Sequence, residues 1–173
     1  MKNYLCAFLA AVLSGCASAP IGVRPVSGFE LDKYLGVWHE IARLDHSFER
    51  GLVRVSAQYS RRPDGGLRVV NRGFDPVKNE WKEVVGRAYF TGDSTVGSLR
   101  VSFFRPFYGA YQIIDLDMRE YRYAMVAGPS LAYLWILARD SELPEEITKK
   151  LVSKAGALGF ETGKLIFPGK AAK

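Results

Sequence analysis

The 173-residue chain has the length of a single domain and a formal net charge of +6. Its two cysteines and two histidines are too few for a cysteine- or histidine-rich metal site, and no Ser-His-Asp set is recognisable. The sequence therefore predicts no metal, no cofactor and no enzymatic activity. The basic residues are scattered, which favours a solvated surface, compatible with an anionic ligand or membrane face, over nucleic-acid binding.

The N-terminus has the layout of an export signal. An apolar run at residues 5–13 follows a positively charged start and ends in the tetrapeptide LSGC, which closes at Cys16. The run is shorter than the ~20 residues of a membrane-spanning helix, so residues 1–15 are predicted to be a secretory signal peptide. The tetrapeptide resembles a bacterial lipobox, in which the cysteine becomes the acylated first residue. The alternative is an ordinary signal peptide cleaved after Ala17 or Ala19.

Lipidation at Cys16 implies a location as well as an anchor. Acyl chains such as palmitate contribute ~0.8 kcal/mol of membrane affinity per buried methylene. Ala17 follows the cysteine, and the absence of an aspartate there resembles lipoproteins of the outer membrane. We therefore expect a protein anchored to the outer membrane and facing the periplasm. Residues 16–30 are predicted to be the lipidated N-terminus and a proline-stiffened tether, and the loss of Cys6 with the signal leaves no disulfide partner.

Short stretches of alternating apolar and polar residues recur along residues 31–173. Residues 53–59 alternate strictly, and the sequence at 62–66, rich in proline, aspartate and glycine, predicts a hairpin turn after them. The strand that contains Trp38 is followed by predicted strands at 53–59, 67–71, 81–90, 99–104, 108–116, 121–128 and 132–139. The even spacing predicts one all-β domain, an antiparallel meander that closes into a barrel or packs as a sandwich.

One helix is predicted, late in the chain. Ser141 is the expected N-cap, Pro144 lies in the first turn, and Gly159 is placed to end the helix. A single apolar stripe at helical spacing is formed by Ile147, Leu151, Ala155 and Leu158. The stripe favours packing against the outside of the barrel; binding to a partner protein is the alternative.

The side chains that face the barrel interior follow from the period of two, with Trp38 taken as inward. On the first strand this places Glu40, Ala42 and Leu44 inside as well. The predicted ligand-lining set on the other strands comprises Val55, Ala57, Tyr59, Val69, Asn71, Val84, Gly86, Ala88, Val101, Phe103, Tyr111, Ile113, Val126, Tyr133 and Trp135. Small residues in this set favour a cavity for an apolar ligand, and the alternative is that large neighbours such as Phe103 and Trp135 fill the space.

A few inward positions are polar. Asn71, Tyr59, Tyr111, Tyr133 and Glu40 would orient the head of an amphiphile, or they would form hydrogen bonds within the core. For the tyrosines the two interpretations are equally compatible with the pattern.

Three separate motifs resemble the lipocalin family. Gly36-Val37-Trp38 resembles its Gly-x-Trp motif, and Arg139 stands at the end of the last strand, YLWILAR, where the family has an arginine. The segment IIDLDMREYRYAMV resembles the signature around the turn between strands six and seven. The resemblance implies an eight-stranded antiparallel up-and-down β-barrel whose closed end is capped by Arg139 over Trp38. The segments EIARLDHSFERGL and VSFFRPFYGAY resemble bacterial outer-membrane lipocalins of the apolipoprotein D branch, although His39 stands where these usually have tyrosine.

This resemblance implies a carrier of fatty acid or lysophospholipid that stores or transports lipid for membrane maintenance. One alternative is a lipocalin-fold enzyme acting on a lipophilic substrate, with Glu40 as the acid–base candidate. The other is an interaction protein with a filled barrel. Phe48 is predicted to be an apolar lip at the mouth and Arg50 to meet a headgroup, while Phe104 and Phe107 would form a homodimer face, a membrane contact or local packing.

Overall fold

The computed structural model describes residue 20 and residues 22–169. The predicted signal peptide, the lipidation site Cys16 and the start of the predicted tether lie outside the described residues. The elements in chain order are α1 Leu31–Tyr34, β1 Gly36–Leu44, β2 Val53–Arg61, β3 Leu67–Asp75, β4 Glu80–Phe90, β5 Ser98–Ser102, β6 Gly109–Leu116, β7 Tyr123–Ala127, β8 Leu134–Ala138, α2 Glu145–Ala157 and β9 Leu165–Ile166. None of the described helices is long and apolar enough to cross a lipid bilayer.

The first eight strands form a closed antiparallel barrel. Each strand pairs with the next along the chain, and β1 pairs with both β2 and β8, so the sheet has no free edge between them. The two-residue strand β9 adds to the far end of β1, where Arg43 is opposite Ile166. The predicted all-β up-and-down barrel is confirmed. Closure satisfies the backbone hydrogen bonds of every barrel strand, which an open sheet of this size would leave exposed at its edges.

Helix α2 packs on the outer wall, as predicted. Leu151 and Ala155 are fully buried there against outward side chains of the barrel, and Gly159 adopts a φ of +93° just after the helix. The predicted N-cap is wrong, because the N-cap residue is Pro144 and no side-chain hydrogen bond caps the helix. A proline disfavours the helical conformation in the residue before it, so the helix does not extend back to Ser141.

A β-bulge in β1 reverses the alternation on which the interior prediction for this strand rests. Glu40 is opposite Leu137, but Ala42 is opposite Ile136, so one extra residue lies between them. Ala42 therefore faces the outer core beneath α2, and so does Leu44. The prediction that these two line the interior is wrong, because a bulge moves every following side chain to the other face.

The part of the predicted tether that the structure describes lies along the barrel wall. The backbone N–H of Phe29 donates to Thr95 O over 2.8 Å, and the N–H of Val26 donates to Ile113 O over 2.8 Å. Val23 is buried in the outer core. The chain thus passes along the wall before it enters α1.

Candidate functional site in the barrel

An arginine–tryptophan pair closes one end of the barrel. The Arg139 guanidinium lies 4.0 Å from the centroid of the fully buried Trp38 ring. Its Nη1 donates to Val37 O over 2.9 Å and its Nη2 to Lys33 O over 2.6 Å, while the Trp38 indole N–H donates to Tyr34 O over 2.8 Å. These bonds tie β8, β1 and α1 together, and a cation–π contact adds roughly 0.5–2 kcal/mol depending on its shielding.

Gly36 makes this closure possible. It adopts a φ of +97°, and a β-carbon there would lie 3.4 Å from Arg139 Nη1. Only glycine takes this conformation without strain, so the first glycine of the Gly-x-Trp motif is required by the backbone, whereas a β-carbon would meet the arginine only at ordinary contact distance.

A chain of three tyrosine hydroxyls crosses the interior above this end. The hydroxyl of Tyr111 lies 2.7 Å from that of Tyr34 and 2.7 Å from that of Tyr59. Burial raises the pKa of Tyr59 to about 12, so the hydroxyl keeps its proton. The core hydrogen-bond interpretation therefore describes Tyr59 and Tyr111, and the three hydroxyls form a polar floor.

The interior above and around this floor is apolar, and its side chains differ in how far they are exposed to solvent. Of the predicted lining residues, those buried are Val55, Tyr59, Val69, Gly86, Ala88, Ile113 and Val126. Those partly or more exposed are Ala57, Asn71, Val84, Val101, Phe103, Tyr111, Tyr133 and Trp135. Strand register directs Ala57, Asn71, Val84 and Trp135 inward, and Val101, Phe103 and Tyr111 pack against the interior cluster. Phe103, Tyr133 and Trp135 lie towards the end where β1 finishes, which we call the mouth.

Two interior positions bear on the cavity directly. The Oδ1 atom of Asn71 is buried and has no hydrogen-bond partner in the described residues, so the interior presents an unused acceptor. At Gly86 a β-carbon would lie 2.7 Å from the Phe103 ring. The ring thus occupies the space that Gly86 was expected to leave, and at this position the filled-space alternative holds.

A buried charge cluster lies beneath the mouth. The bulge in β1 turns Arg43 inward, where its side chain is almost fully buried, and its Nη1 is 2.5 Å from Glu40 Oε1. Its Nη2 donates to the backbone oxygens of Glu49 over 2.9 Å and of Leu52 over 3.3 Å. Arg43 thereby holds the loop at residues 45–52 at two backbone oxygens.

Glu49 is the second carboxyl of this cluster. Its Oε1 accepts a 2.9 Å hydrogen bond from the Trp135 indole N–H and lies 3.8 Å from Arg43 Nε. Burial, reinforced by the Glu40 carboxyl, raises the pKa of Glu49 to about 7. Burial also raises the pKa of Glu40, which Arg43 opposes. Because one arginine faces two buried carboxyls, the cluster favours a proton on Glu49 near neutral pH.

An aromatic stack adjoins the cluster at the mouth. The His46 ring lies between Tyr133, at 4.2 Å between centroids, and Phe48, at 5.4 Å. Burial lowers the pKa of His46, and its Nε2 has no hydrogen-bond partner in the described part of the chain. The imidazole is therefore held neutral, and the stack attaches the β1–β2 loop to the start of β8.

Sequence reasoning missed Arg43, Glu49 and His46 as parts of the site. Charged residues within an otherwise apolar strand were visible in EIARLDHSFERG, but their inward direction depends on the bulge, which leaves no periodic signal. No group of three or more His, Cys, Asp or Glu side chains among residues 22–169 is arranged to hold a metal ion.

A shallow cleft of about 400 Å³ lies at the opposite end, outside the barrel, between α1 and the loop after β4. The Asp32–Arg61 ion pair, 2.7 Å long, borders it. Phe29 and Phe90 line it and also belong to the interior core cluster, so the cleft adjoins the closed end of the interior.

Comparison with known proteins places the whole barrel in one family. Residues 29–170 match a family profile described as a lipocalin-like domain. The chain is 51% identical to the outer membrane lipoprotein Blc of Vibrio cholerae serotype O1, over 94% of each chain. It is 48% identical to the protein of the same name from Escherichia coli K12, over 93% of this chain and 90% of that one. Rat apolipoprotein D is 32% identical over 78% of this chain and 71% of its own.

Solved structures agree on the fold. Insecticyanin from the tobacco hornworm Manduca sexta superposes with a TM-score of 0.68 at 19% identity, covering 86% of this chain and 85% of its own. The amine-binding protein of Rhodnius prolixus superposes with a TM-score of 0.65 at 16% identity, covering 87% and 86%. The relatives named here are outer membrane lipoproteins, an apolipoprotein and an amine-binding protein, and none of these names describes an enzymatic activity.

Proposed function

The chain belongs to the lipocalin family, and from this membership we propose that it binds a fatty acid or a lysophospholipid in its barrel and stores or transports it at the outer membrane. The observation that carries the proposal is the difference in solvent exposure among the inward side chains. Apolar side chains near the mouth, such as Phe103 and Trp135, are partly exposed, while Trp38 is fully buried and the tyrosine hydroxyls bond to one another at the other end.

The energetics favour a long acyl chain. Each buried methylene contributes ~0.8 kcal/mol, so ten of them give about 8 kcal/mol, against association costs of roughly 4–15 kcal/mol. Each further methylene therefore strengthens binding, which favours long acyl chains over short ones. The polar groups near it, Asn71 Oδ1 and the tyrosine hydroxyls, add orientation more than affinity.

The anchor supplies the location. The relatives of the same length are named outer membrane lipoproteins, which supports an outer-membrane location for this chain. We propose acylation at Cys16, with the barrel on the periplasmic side. A homodimer is compatible with this arrangement and is not required by it.

A chain-length series tests the proposal. The protein with Cys16→Ser, which cannot be acylated, is delipidated and titrated calorimetrically with fatty acids and lysophospholipids of 10 to 18 carbons. We expect saturable 1:1 binding whose Kd falls about fourfold per added methylene until the cavity is full. Absence of saturable binding of any amphiphile by the folded protein would exclude a lipid carrier.

A matched pair of variants locates the ligand. Ala57 faces the interior opposite Trp38, and its neighbour Gln58 is exposed on the outer wall. Ala57→Leu is expected to weaken binding at least tenfold and to shift the preferred chain length downwards. Gln58→Leu is expected to leave both unchanged. Equal effects of the two would place the ligand outside the barrel.

A further inference from the structure

The most exposed apolar side chains of the protein share one end of the barrel. Of the large apolar side chains that the structure describes, only Phe48, Val77, Phe104 and Phe107 are more than half exposed, at 62%, 93%, 73% and 77%. Phe48 lies in the β1–β2 loop, Val77 in the β3–β4 loop and both other residues in the β5–β6 loop. All of these loops border the open mouth, and we call the four side chains the apolar rim.

The closed end has a different character. Its loops, residues 62–66, 91–97 and 117–122, are built on aspartates such as Asp64, Asp93 and Asp117, which accept hydrogen bonds from loop backbone groups. Within these three loops Met118 is the most exposed large apolar side chain, at 40%. Singly scattered apolar side chains are normal on a protein surface, whereas four gathered around one opening mark an interaction surface.

Cationic side chains accompany the apolar rim. Lys78 follows Val77 in the sequence, and Arg105 lies between Phe104 and Phe107. Both side chains are exposed, and neither forms an ion pair within residues 22–169. On the adjoining outer wall Arg72 lies 4.3 Å from the centroid of the half-exposed Trp81 ring. Apolar and indole side chains alternating with cations are the composition that favours the interface of an anionic bilayer.

We propose that the apolar rim docks onto the anionic bilayer leaflet that holds the N-terminal acyl chains, so that the barrel mouth opens directly into the lipid phase. Phe48, Val77, Phe104 and Phe107 insert at the headgroup level, and Lys78 and Arg105 meet lipid phosphates. Exchange of ligand through the mouth rests on the proposed function. The choice of leaflet rests on it too, because acylation at Cys16 belongs to the proposed function, whereas docking of the rim onto an anionic bilayer does not.

The path of the N-terminal segment agrees with this orientation. Read towards the N-terminus, the chain passes from Phe29, bonded to Thr95 in a closed-end loop, to Val26, bonded to Ile113 halfway along β6. It therefore runs towards the mouth. Cys16 precedes Val26 by ten residues, whose reach is below the ~33 Å of a fully extended segment because the Val23 N–H donates to Pro20 O across a turn. The distance along β6 from Ile113 to its open end at Gly109 is about 13 Å. The anchor is long enough to lie in the plane of the rim.

The charge of the apolar rim favours a membrane over a second copy of this chain as its binding partner. In a two-fold contact between rims, Lys78 and Arg105 would face the same cations of the other copy, and like charges at close range oppose such contacts. An anionic lipid surface instead complements them.

Vesicle binding tests the proposal. The full-length mature protein with Cys16→Ser is mixed with phosphatidylcholine vesicles containing 30% phosphatidylglycerol, and its partition is measured by flotation. Phe104→Ser/Phe107→Ser removes half of the apolar rim, and Val85→Ser/Met118→Ser removes exposed apolar side chains from the wall and the closed end. We expect the rim variant to lose at least tenfold in partition and the control variant to stay within twofold of the parent.

A second pair of variants reports orientation without removing the rim. With Phe107→Trp we expect a blue shift of tryptophan emission on addition of vesicles, and with Met118→Trp no shift. No binding of the parent, equal losses in both serine variants, or equal shifts in both tryptophan variants would overturn the proposal. The proposal would also be overturned if the parent formed a dimer through the rim in solution while the rim variant still bound vesicles.

Ligand titration keeps the two proposals distinguishable. The rim variant is expected to bind fatty acid in solution as the parent does, and to transfer it to vesicles at least tenfold more slowly. Unchanged transfer would overturn exchange through a docked mouth. If the parent docks but binds no amphiphile, the proposed function fails while docking of the rim stands.

Discussion

Replacing Glu49 by glutamine is expected to change how the stability of the protein depends on pH. The Glu49 carboxyl is buried beside Glu40 and accepts a hydrogen bond from Trp135, and its pKa is raised from 4.5 to about 7. In the unfolded chain it titrates near its ordinary value. Between these values the folded state binds more protons than the unfolded state, so the free energy of unfolding falls as pH rises.

The size of the effect follows from the shift. One pKa unit corresponds to 1.36 kcal/mol, so a shift of about 2.5 units gives about 3 kcal/mol over the full range and about 2–3 kcal/mol between pH 5 and pH 8. Local opening of the loop at residues 45–52 in the folded state would reduce this pH-dependent change in the free energy of unfolding. The neighbouring His46, whose pKa is lowered by burial, acts in the opposite sense, because its neutral form is lost as pH falls.

Urea unfolding at pH 5, 6, 7 and 8, followed by tryptophan fluorescence, measures this dependence. We take the difference in unfolding free energy between the parent and Glu49→Gln, which leaves the contribution of His46 common to both proteins. From pH 5 to pH 8 the free energy of unfolding of the parent is expected to fall by about 2–3 kcal/mol relative to that of Glu49→Gln. The exposed Glu83→Gln serves as control and should give a flat difference. A flat difference for Glu49→Gln would refute the buried-carboxyl account of the mouth.

Three further predictions concern the closed end and the anchor. Arg139→Ala removes the contact with Trp38 and the bonds to Val37 O and Lys33 O, and should lower the free energy of unfolding by about 2–4 kcal/mol in urea; a loss under 0.5 kcal/mol would contradict this. Gly36→Ala should cost roughly 1–3 kcal/mol because of its positive φ, whereas Gly92→Ala, with open space around it, should be near neutral; similar thermal melts would count against a backbone requirement. Radiolabelled palmitate should enter the parent and not Cys16→Ser, and labelling of both would place acylation elsewhere.

The closed end was predictable in two ways. Alternation gives the strands, whereas the contact between Arg139 and Trp38, which are far apart in sequence, was implied only by the resemblance to the lipocalin family. The helical stripe with Leu151 and Ala155 is equally periodic, so its packing on the outer wall followed from sequence alone.

The mouth was not predictable to the same degree. The inward direction of Arg43 depends on the bulge between Glu40 and Ala42, and a bulge inserts one residue without a residue type that marks it. Glu49 lies in a loop, where side-chain direction has no period. The filling of Gly86 by Phe103 depends on how neighbouring strands and a loop meet, which alternation along one strand does not contain.

Occupancy of the barrel is the central claim, and brominated fatty acid tests it most directly, because bromine quenches tryptophan only at close range. Trp135 faces the interior near the mouth, Trp38 lies at the closed end, and Trp81 is on the outer wall. We predict saturable 1:1 quenching in the parent that is retained in Trp81→Phe and mostly lost in Trp135→Phe. Absence of saturable quenching, or loss of quenching in Trp81→Phe with retention in Trp135→Phe, would contradict a ligand inside the barrel.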